Sequence, residues 1–176
     1  MTRLDQIQQL LEATSSTNWR IEQIKTAIFS ANISRYSQIS NVPKLLKDQI
    51  ISVLGDDILS LKPVNEIKGQ QAHKVLFETR DHHQIESVRL TYQADSKTPH
   101  HSLCISTQSG CALGCTFCAT GAIGFKKNLT ADEIVDQVLY FKKNDLPVDS
   151  IIFMGMGEPL ANSDNTFAAI DQLVAK

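Results

Sequence analysis

Three cysteines within eight residues constrain this chain more than any other feature of its sequence. Cys111, Cys115 and Cys118 follow a CxxxCxxC spacing. Three thiolates fill three corner positions of a cubane [4Fe-4S] cluster and leave one iron without a protein ligand. Closed metal sites are structural, whereas an open position is typical of catalytic sites because it can bind a substrate. The spacing therefore predicts a cluster-binding loop with one position free for a small molecule.

A zinc knuckle and unrelated buried thiols are the alternatives for the same cysteines. Zinc requires a fourth Cys or His nearby. The nearest histidines, His100 and His101, precede the motif, and none follows it. Three cysteines crowded together also pair poorly as disulfides, and a reducing compartment favours metal binding. The iron–sulfur interpretation is the one that the residues favour.

Length and composition indicate a soluble globular chain. It has 176 residues, of which 42% are hydrophobic, and a formal net charge of -2. No stretch approaches the roughly 18 apolar residues of a membrane span, and the polar start lacks the apolar core of a signal peptide. We therefore expect a cytoplasmic protein without a membrane partner. The net charge does not favour nucleic acid, although local basic patches would still be compatible with it.

The apolar periodicity divides the chain into three parts. Residues 1–60 are predicted to form a helical domain. Its third helix starts at Pro43 and stops at Gly55. Residues 61–100 are predicted to be a polar linker, at residues 62–71, followed by a β-hairpin turning through residues 80–83. The apolar positions behind these predictions are Leu4, Ile7, Leu10, Leu11, Ile21, Ile24, Ile28, Leu45, Leu46, Ile50, Ile51, Leu54, Val75, Phe77, Val88, Leu90 and Tyr92.

Residues 101–176 show the pattern strand, loop, helix, strand and helix. Strands are predicted at residues 103–107 and 149–154. Between them a helix is predicted to open with the capping box Thr130 to Glu133, and a second helix follows at residues 165–175. A βαβ unit with its chemistry after the strands is the arrangement of β/α barrels. We therefore expect an α/β fold in which the cysteine loop and the loop at Gly155 are neighbours.

A second motif, Gly155-Met-Gly-Glu-Pro159, follows the second of these strands. Gly155 and Gly157 lack a Cβ atom, so the backbone could approach a ligand closely, and Glu158 offers a carboxylate to an ammonium group. Taken alone, the motif is equally a tight loop, and it is not the dinucleotide-binding GxGxxG because Leu160 replaces the third glycine. Paired with the cysteine motif, it indicates a ligand that carries an ammonium group beside the open iron.

Together the motifs resemble those of radical S-adenosylmethionine (SAM) enzymes, and most closely the Cfr and RlmN group of RNA methyltransferases. The likeness covers essentially the whole chain and lies nearer the Cfr branch, which acts on adenine C8, than RlmN, which acts on C2. It implies an N-terminal accessory domain and hairpin followed by the first βα units of a partial (β/α) barrel. The matching runs are Cys104-Ile-Ser-Thr-Gln-Ser-Gly-Cys111, the cysteine loop, Gly124-Phe-Lys-Lys-Asn-Leu-Thr-Ala-Asp-Glu133 and Phe153-Met-Gly-Met-Gly-Glu-Pro-Leu160.

The resemblance implies methylation of adenosine 2503 in 23S ribosomal RNA, with transfer RNA as an alternative substrate. Because the target carbon is a poor nucleophile, the family uses radical chemistry. SAM bound to a [4Fe-4S] cluster methylates a cysteine near the far C-terminus, and a second SAM yields the radical that activates this methyl group. An electron donor such as flavodoxin and a monomeric enzyme are also implied. C8 methylation confers antibiotic resistance in Cfr relatives.

The resemblance also assigns roles to individual residues. Cys104 matches the family's resolving thiol, against the alternative of a buried strand cysteine. Glu86 matches its proton acceptor, against a solvated strand carboxylate, although the stretch from Glu86 to Cys104 is longer here than in relatives. Cys111, Cys115 and Cys118 would hold the cluster, with Phe117 at the usual aromatic position, and Gly157 and Glu158 would contact SAM.

Two further features bear on RNA. Lys126 and Lys127 would contact phosphates or belong to a solvated loop. The helices of residues 1–60 resemble the family's RNA-binding accessory domain, but their charge is balanced, so recognition would depend on shape.

The sequence departs from the family in one respect. Its four cysteines are all assigned, so the methyl-carrying cysteine has no counterpart, and a complete barrel takes roughly 250 residues. We expect an N-terminal fragment, a truncated reading frame or a pseudogene product, with an unpaired edge at its last strand, that binds a cluster but does not complete methyl transfer. The remaining hypotheses are a different radical SAM enzyme, such as a glycyl-radical activase, and a non-catalytic iron–sulfur or zinc module.

Overall fold

The computed structural model describes residues 1–13, 19–93 and 98–174, which are organised around a five-stranded mixed sheet. The helices are α1 (Arg3–Ala13), α2 (Trp19–Ile28), α3 (Lys44–Leu54), α4 (Ala119–Ile123), α5 (Ala131–Lys143) and α6 (Ser163–Val174). The strands are β1 (Lys62–Lys68), β2 (Ala72–Glu78), β3 (Gln84–Tyr92), β4 (His100–Cys104), β5 (Gln108–Ser109), β6 (Lys127–Asn128) and β7 (Ser150–Ile152). None of the helices in these ranges is long and apolar enough to cross a membrane.

The three N-terminal helices form as their apolar periodicity predicts. Ile7, Ile24 and Ile28 are buried where α1 and α2 pack together. Gly55 ends α3 with φ 82°, a conformation that glycine adopts without steric cost. The prediction was wrong for Leu45, which keeps 72% of its surface exposed. The buried stripe of α3 consists of Leu46 and Ile50, and Leu45 lies about 100° around the helix from Leu46.

The main sheet has the order β1-β2-β3-β4-β7. The predicted hairpin is present as β2 and β3, paired from Ala72↔Leu90 to Glu78↔Gln84. The polar stretch predicted as a linker is instead the edge strand β1, all seven residues of which are exposed. Its conformation comes from pairing with β2 rather than from burial, so the sequence carries no alternating apolar signal. A register shift between Pro63 and Asn65 interrupts its pairing, as is common at sheet edges.

The predicted βαβ unit is formed by β4, α5 and β7. β4 and β7 are parallel and pair Ser102↔Ser150, Leu103↔Ile151 and Cys104↔Ile152. β4 has the predicted five residues but lies three positions earlier, at 100–104 instead of 103–107, and β7 is shorter than the predicted 149–154. In both cases the chain leaves the ladder early, after Cys104 and after Ile152, to form loops. The capping box at the start of α5 is present: Thr130 Oγ1 accepts the N–H of Glu133, and Glu133 Oε2 accepts the N–H of Thr130. Within the described residues no strand pairs with the outer side of β7.

The two faces of the sheet have different environments. Helix α5 packs on the face that carries Val75, Phe77, Ile85 and Leu103, all of which are fully buried. Phe77 and Tyr140 of α5 make an edge-to-face ring contact with centroids 4.9 Å apart. On the opposite face Leu90 and Tyr92 remain 40% and 47% exposed. We call this second surface the open face.

Buried polar contacts fasten the N-terminal helices to α5. The Arg3 guanidinium forms an ion pair with the fully buried Asp136 and donates to the carbonyl of Ile58 at 2.6 Å. At the other end of α5, Lys143 Nζ donates to the carbonyls of Ile28, Ser30 and Ile33. Burial lowers the pKa of Lys143 to about 8. The helix layer is thereby fixed to the element that supports the sheet.

Candidate functional site

The cysteine motif lies in a loop, residues 111–123, that is closed at its base. Strand β5 precedes the loop and β6 follows it, and the two strands pair in the register Gln108↔Asn128 and Ser109↔Lys127. Gly110 has φ +71°, and a Cβ on it would lie 1.8 Å from the carbonyl oxygen of Gly124. Because no side chain fits at that approach, residue 110 must be glycine for the loop to close. The loop therefore projects from a narrow neck beyond the carboxyl end of β4.

The three thiols of this loop are at least partly accessible. Cys115 is exposed, and Cys111 and Cys118 are partly exposed. The backbone N–H groups of Gly121 and Thr120 donate to the Cys118 sulfur and lower the pKa of its thiol. Such hydrogen bonds favour the thiolate, which is the form that binds metal. Two apolar side chains of the loop, Leu113 and Phe117, are 58% and 92% exposed.

The cysteine loop offers three thiols, the ligand type and number of a [4Fe-4S] cluster with one open position. Across the part of the chain that the structure describes, no three His, Cys, Asp or Glu side chains are close enough together to hold a metal ion. The loop thus supplies the right ligand type, and the assignment of Cys111, Cys115 and Cys118 as ligands stays a prediction.

The cysteine loop and the Gly155–Pro159 motif are neighbours, as the sequence predicts. They follow β4 and β7, whose carboxyl ends lie side by side in the sheet. The Gly155 N–H donates to the carbonyl of Ile105 at 3.0 Å, and the N–H groups of Thr107 and Gln108 donate to the carbonyl of Met156 at 2.9 and 3.1 Å. The second motif is therefore hydrogen-bonded to the segment that leads into the cysteines.

The two glycines of the second motif are required by this contact. A Cβ on Gly155 would lie 2.7 Å from the Ile105 carbonyl oxygen and from Ser106 Oγ. Gly157 has φ +94°, and its Cβ would lie 2.5 Å from Gln108 Cβ. The sequence interpretation attributed these glycines to the approach of a ligand, but the neighbouring loop fills the space above each Cα. The contact of Gly157 with SAM stays a prediction.

Glu158 is held partly by its own turn. Its Oε1 accepts the N–H of Leu160 at 3.0 Å and caps the short 3-10 helix Pro159–Asn162. Its backbone N–H donates to Gln108 Oε1 at 3.0 Å. Oε2 has no hydrogen-bond partner among the described residues. The carboxylate is thus oriented at one oxygen, and the contact of Glu158 with SAM stays a prediction.

Cys104 and Glu86 both lie on the open face. Cys104 is the last residue of β4 and pairs with Val88 of β3. Glu86 precedes Val88 by two residues, so its side chain lies on the same face of the sheet as those of Val88 and Cys104. Burial raises the pKa of the Cys104 thiol, against a hydrogen bond from the Met154 backbone. Glu86 Oε1 lies 3.0 Å from Lys74 Nζ, and the two side chains are 41% and 39% exposed. Their catalytic roles stay predictions. The stretch between them, which the sequence shows to be longer than in relatives, includes residues 94–97, which lie outside the described residues.

The lysines before α5 differ in their environment. Lys127 Nζ lies 2.9 Å from Asp81 Oδ2 and 3.0 Å from Glu133 Oε1. Burial disfavours its ammonium form, but these hydrogen bonds prevail and raise its pKa. Lys127 is therefore neither a free phosphate contact nor part of a solvated loop, whereas Lys126 is exposed.

Sequence analysis missed the buried polar side chains that join these elements. Ser106, Gln108, Gln137 and Asn162 are each at most 4% exposed. Gln137 bonds both the N–H and the carbonyl of Ser106, and Asn162 Nδ2 donates to the carbonyls of Thr107 and Leu129 at 2.8 Å. The available signal was the presence of Gln137 on the apolar face of α5, beside Ile134 and Phe141.

Residues 105–174 match the Radical SAM superfamily. The ribosomal RNA large subunit methyltransferase Cfr of Staphylococcus aureus is 46% identical over 170 residues, which cover 97% of this chain and 47% of the relative. The Cfr of Shouchella clausii is 43% identical over 173 residues, covering 98% of this chain and 48% of the relative.

A solved structure, that of a radical SAM methyltransferase from Sphaerobacter thermophilus, has the same fold. It superposes with a TM-score of 0.82 at 31% identity, and the match covers 98% of this chain and 50% of that one. The α/β fold predicted from the sequence is thereby confirmed. The chain spans about half the length of the curated relatives that it matches.

Proposed function

We propose that this chain carries the cluster- and SAM-binding half of a ribosomal RNA methyltransferase. The premise is that the chain belongs to the Cfr-related group of the radical SAM superfamily. The proposed substrate is adenosine 2503 of 23S ribosomal RNA. The proposed target atom is C8, because the similar relatives are Cfr proteins.

One observation carries the proposal. The cysteine loop and the Gly155–Pro159 loop follow adjacent parallel strands at the same edge of the sheet, and hydrogen bonds of 2.9–3.1 Å join the Gly155–Pro159 loop to residues 105–108, which lead into the cysteine loop. Active sites of β/α folds occupy this edge. A ligand lying against one loop is therefore within reach of the other. An isolated iron–sulfur or zinc module would not need the second loop.

Cys111, Cys115 and Cys118 would hold the [4Fe-4S] cluster. When bound, such a cluster supplies the electron for reductive cleavage of SAM. Glu158 would bind the ammonium group of SAM through Oε2, since Oε1 is already occupied by the N–H of Leu160. Gly157 would place its backbone beside that group.

Cys104 and Glu86 would act on the RNA base from the open face. Burial raises the pKa of the Cys104 thiol, so the thiol would have to lose its proton before it attacks the sulfur of the methyl-carrying cysteine. In that step the S–S bond would form while the bond from this sulfur to the carbon on the base breaks, and the carbon keeps the electron pair. Glu86 would accept the proton leaving the methylated base carbon. Its contact with Lys74 Nζ, 3.0 Å from Oε1, would hold the carboxylate in position.

The methyl-carrying cysteine has no counterpart among the four cysteines of these 176 residues, since the proposal assigns each of them another role. We therefore propose that the 176 residues bind the cluster and SAM without completing methyl transfer. The proposed partners are 23S ribosomal RNA, with transfer RNA as an alternative, and an electron donor such as flavodoxin. The proposed state is a cytoplasmic monomer.

A chimaera tests the proposal. Residues 1–174 are fused to the C-terminal half of the Staphylococcus aureus Cfr and expressed in cells that lack their own adenosine-2503 methyltransferase. Nucleoside mass spectrometry of 23S ribosomal RNA should show 8-methyladenosine for the chimaera and none for the 176 residues alone. The matched control is the same chimaera with C115A.

Each result has a distinct meaning. The appearance of 2-methyladenosine instead would overturn the assignment to C8 and keep the family mechanism. A chimaera that is expressed and contains iron but leaves the RNA unmodified would overturn the proposed substrate. Modification that persists in C115A would exclude the cysteine loop as the cluster site.

A further inference from the structure

Gln108 lies between the two proposed ligand-binding loops and is 2% exposed. It belongs to β5, two residues before Gly110 and the neck of the cysteine loop. No role follows for it from the CxxxCxxC spacing or from the Gly155–Pro159 motif. Its contacts nevertheless reach both loops.

Both polar atoms of the Gln108 side-chain amide form hydrogen bonds. Oε1 accepts the backbone N–H of Glu158 at 3.0 Å. Nε2 donates to Asn128 Oδ1 at 2.8 Å, on the strand β6 that closes the cysteine loop. A buried amide is costly when either end lacks a partner. The two bonds therefore fix the position of the Glu158 backbone relative to the neck.

The packing around Gln108 also restricts the distance between the Gly155–Pro159 loop and the neck of the cysteine loop. Its Cβ and Cγ occupy the space where a Cβ of Gly157 would lie, at 2.5 and 2.7 Å from that position. Its backbone N–H also donates to the carbonyl of Met156 at 3.1 Å. The Gly155–Pro159 loop can thus neither approach the cysteine loop nor recede from it without breaking contacts to this one residue.

We propose that Gln108 is a positioning residue that sets the separation between the cysteine loop and Glu158. The inference rests on the proposed function, because that separation matters only if a single ligand touches both loops. Gln108 contacts no ligand itself. It acts through the backbone of Glu158, so it governs affinity for SAM and leaves the capacity of the cysteines to bind iron intact.

The test compares Q108L with the unaltered chain after anaerobic cluster reconstitution. Leucine has a similar size and removes both side-chain hydrogen bonds. Loss of the bond to the part-buried N–H of Glu158 should raise the Kd for SAM by about 10-fold, measured by calorimetric titration, with iron and sulfide per chain unchanged. Q172L is the matched control, since Gln172 is also a buried glutamine but lies on α6. It should leave the Kd within about twofold.

A second measurement does not depend on SAM. In the iron-free chain, amide hydrogen exchange followed by NMR should accelerate at Glu158 in Q108L by about 10-fold, with no change in α1. If the unaltered chain binds iron but not SAM, the proposed function fails, and the exchange rate at Glu158 alone decides the role of Gln108.

Three results would overturn the inference. The first is an unchanged exchange rate at Glu158. The second is an unchanged Kd in a chain that does bind SAM. The third is a parallel loss of iron and SAM binding in Q108L, which would indicate a general structural role rather than control of one distance.

Discussion

Ser106 Oγ donates a hydrogen bond to the carbonyl of Glu86 at 2.6 Å. The same hydroxyl accepts the N–H of Met156 at 2.9 Å. One fully buried side chain thus joins β3, which carries the proposed proton acceptor, to the loop after β7, which carries Glu158. Ser106 itself follows β4, so its hydroxyl connects this strand to both of the others. The three strands that carry or precede proposed site residues are therefore held together through a single side chain.

Replacing this hydroxyl should destabilise the fold. S106A removes the hydroxyl partner of two part-buried backbone groups, so we expect the free energy of unfolding to fall by about 1–3 kcal/mol, measured by urea denaturation. Ser109 offers a matched control, because its hydroxyl bonds one carbonyl, that of Gln84. S109A should cost less than S106A. Equal costs would contradict the dual role of Ser106.

The neck of the cysteine loop can be tested with two glycines that have nearly the same φ angle. Gly110 and Gly124 have φ +71° and +72°, but only at Gly110 would a Cβ collide with backbone, since nothing lies within 4 Å of a Cβ on Gly124. Alanine at either position pays the cost of positive φ, about 1 kcal/mol. G110A should lose most of its reconstituted iron, whereas G124A should retain most of it. Equal iron content would show that the neck does not organise the cysteines.

The anchor between α1 and α5 should contribute strongly to stability. Arg3 and Asp136 retain 6% and 0% of their side-chain surface, so R3M leaves a buried carboxylate uncompensated. We expect the free energy of unfolding to fall by about 3–5 kcal/mol. The exposed pair of Arg35 and Asp57, 3.5 Å apart, is the control, and R35M should cost under about 1 kcal/mol. A small loss in R3M would mean that Ser60, which also bonds Asp136, satisfies the carboxylate alone.

Glu66 makes stability depend on pH. Its hydrogen bond from the Tyr140 hydroxyl, followed by those from Lys68 and His73, lowers the pKa of its carboxyl from 4.5 to about 2. A depressed carboxyl pKa contributes stability that is present above pH 4.5 and is lost as the pH falls towards 2. The melting temperature of the unaltered chain should therefore exceed that of E66Q at neutral pH, and the difference should shrink across that interval. The control variant is E78Q, which alters a carboxylate paired with the exposed His82 rather than with Tyr140. A difference that persists to pH 2 would refute the assignment.

The elements that the sequence predicts well are those with local causes. The capping box of Thr130 and Glu133, the stop at Gly55 and the apolar stripes of α1 and α2 depend on neighbours a few residues away. Strand β1 and the exposure of Leu45 depend on which distant surface is available for packing. Gln108 and Asn162 were missed for the same reason, because their importance comes from partners 20 to 55 residues away. The cysteine spacing identified the loop, and only the fold shows what holds its ends.

The neck formed by Gly110 and Gly124 separates the cysteine loop mechanically from the sheet. Backbone contact at this point and the pairing of β5 with β6 anchor the loop at its two ends, while its thiols and the side chain of Phe117 are not packed into the core. Rearrangement of residues 111–123 can therefore proceed without repacking α5 or the main sheet. Insertion of a cluster would then be a local folding event, whose rate is set by loop motion and whose failure leaves the rest of the chain folded.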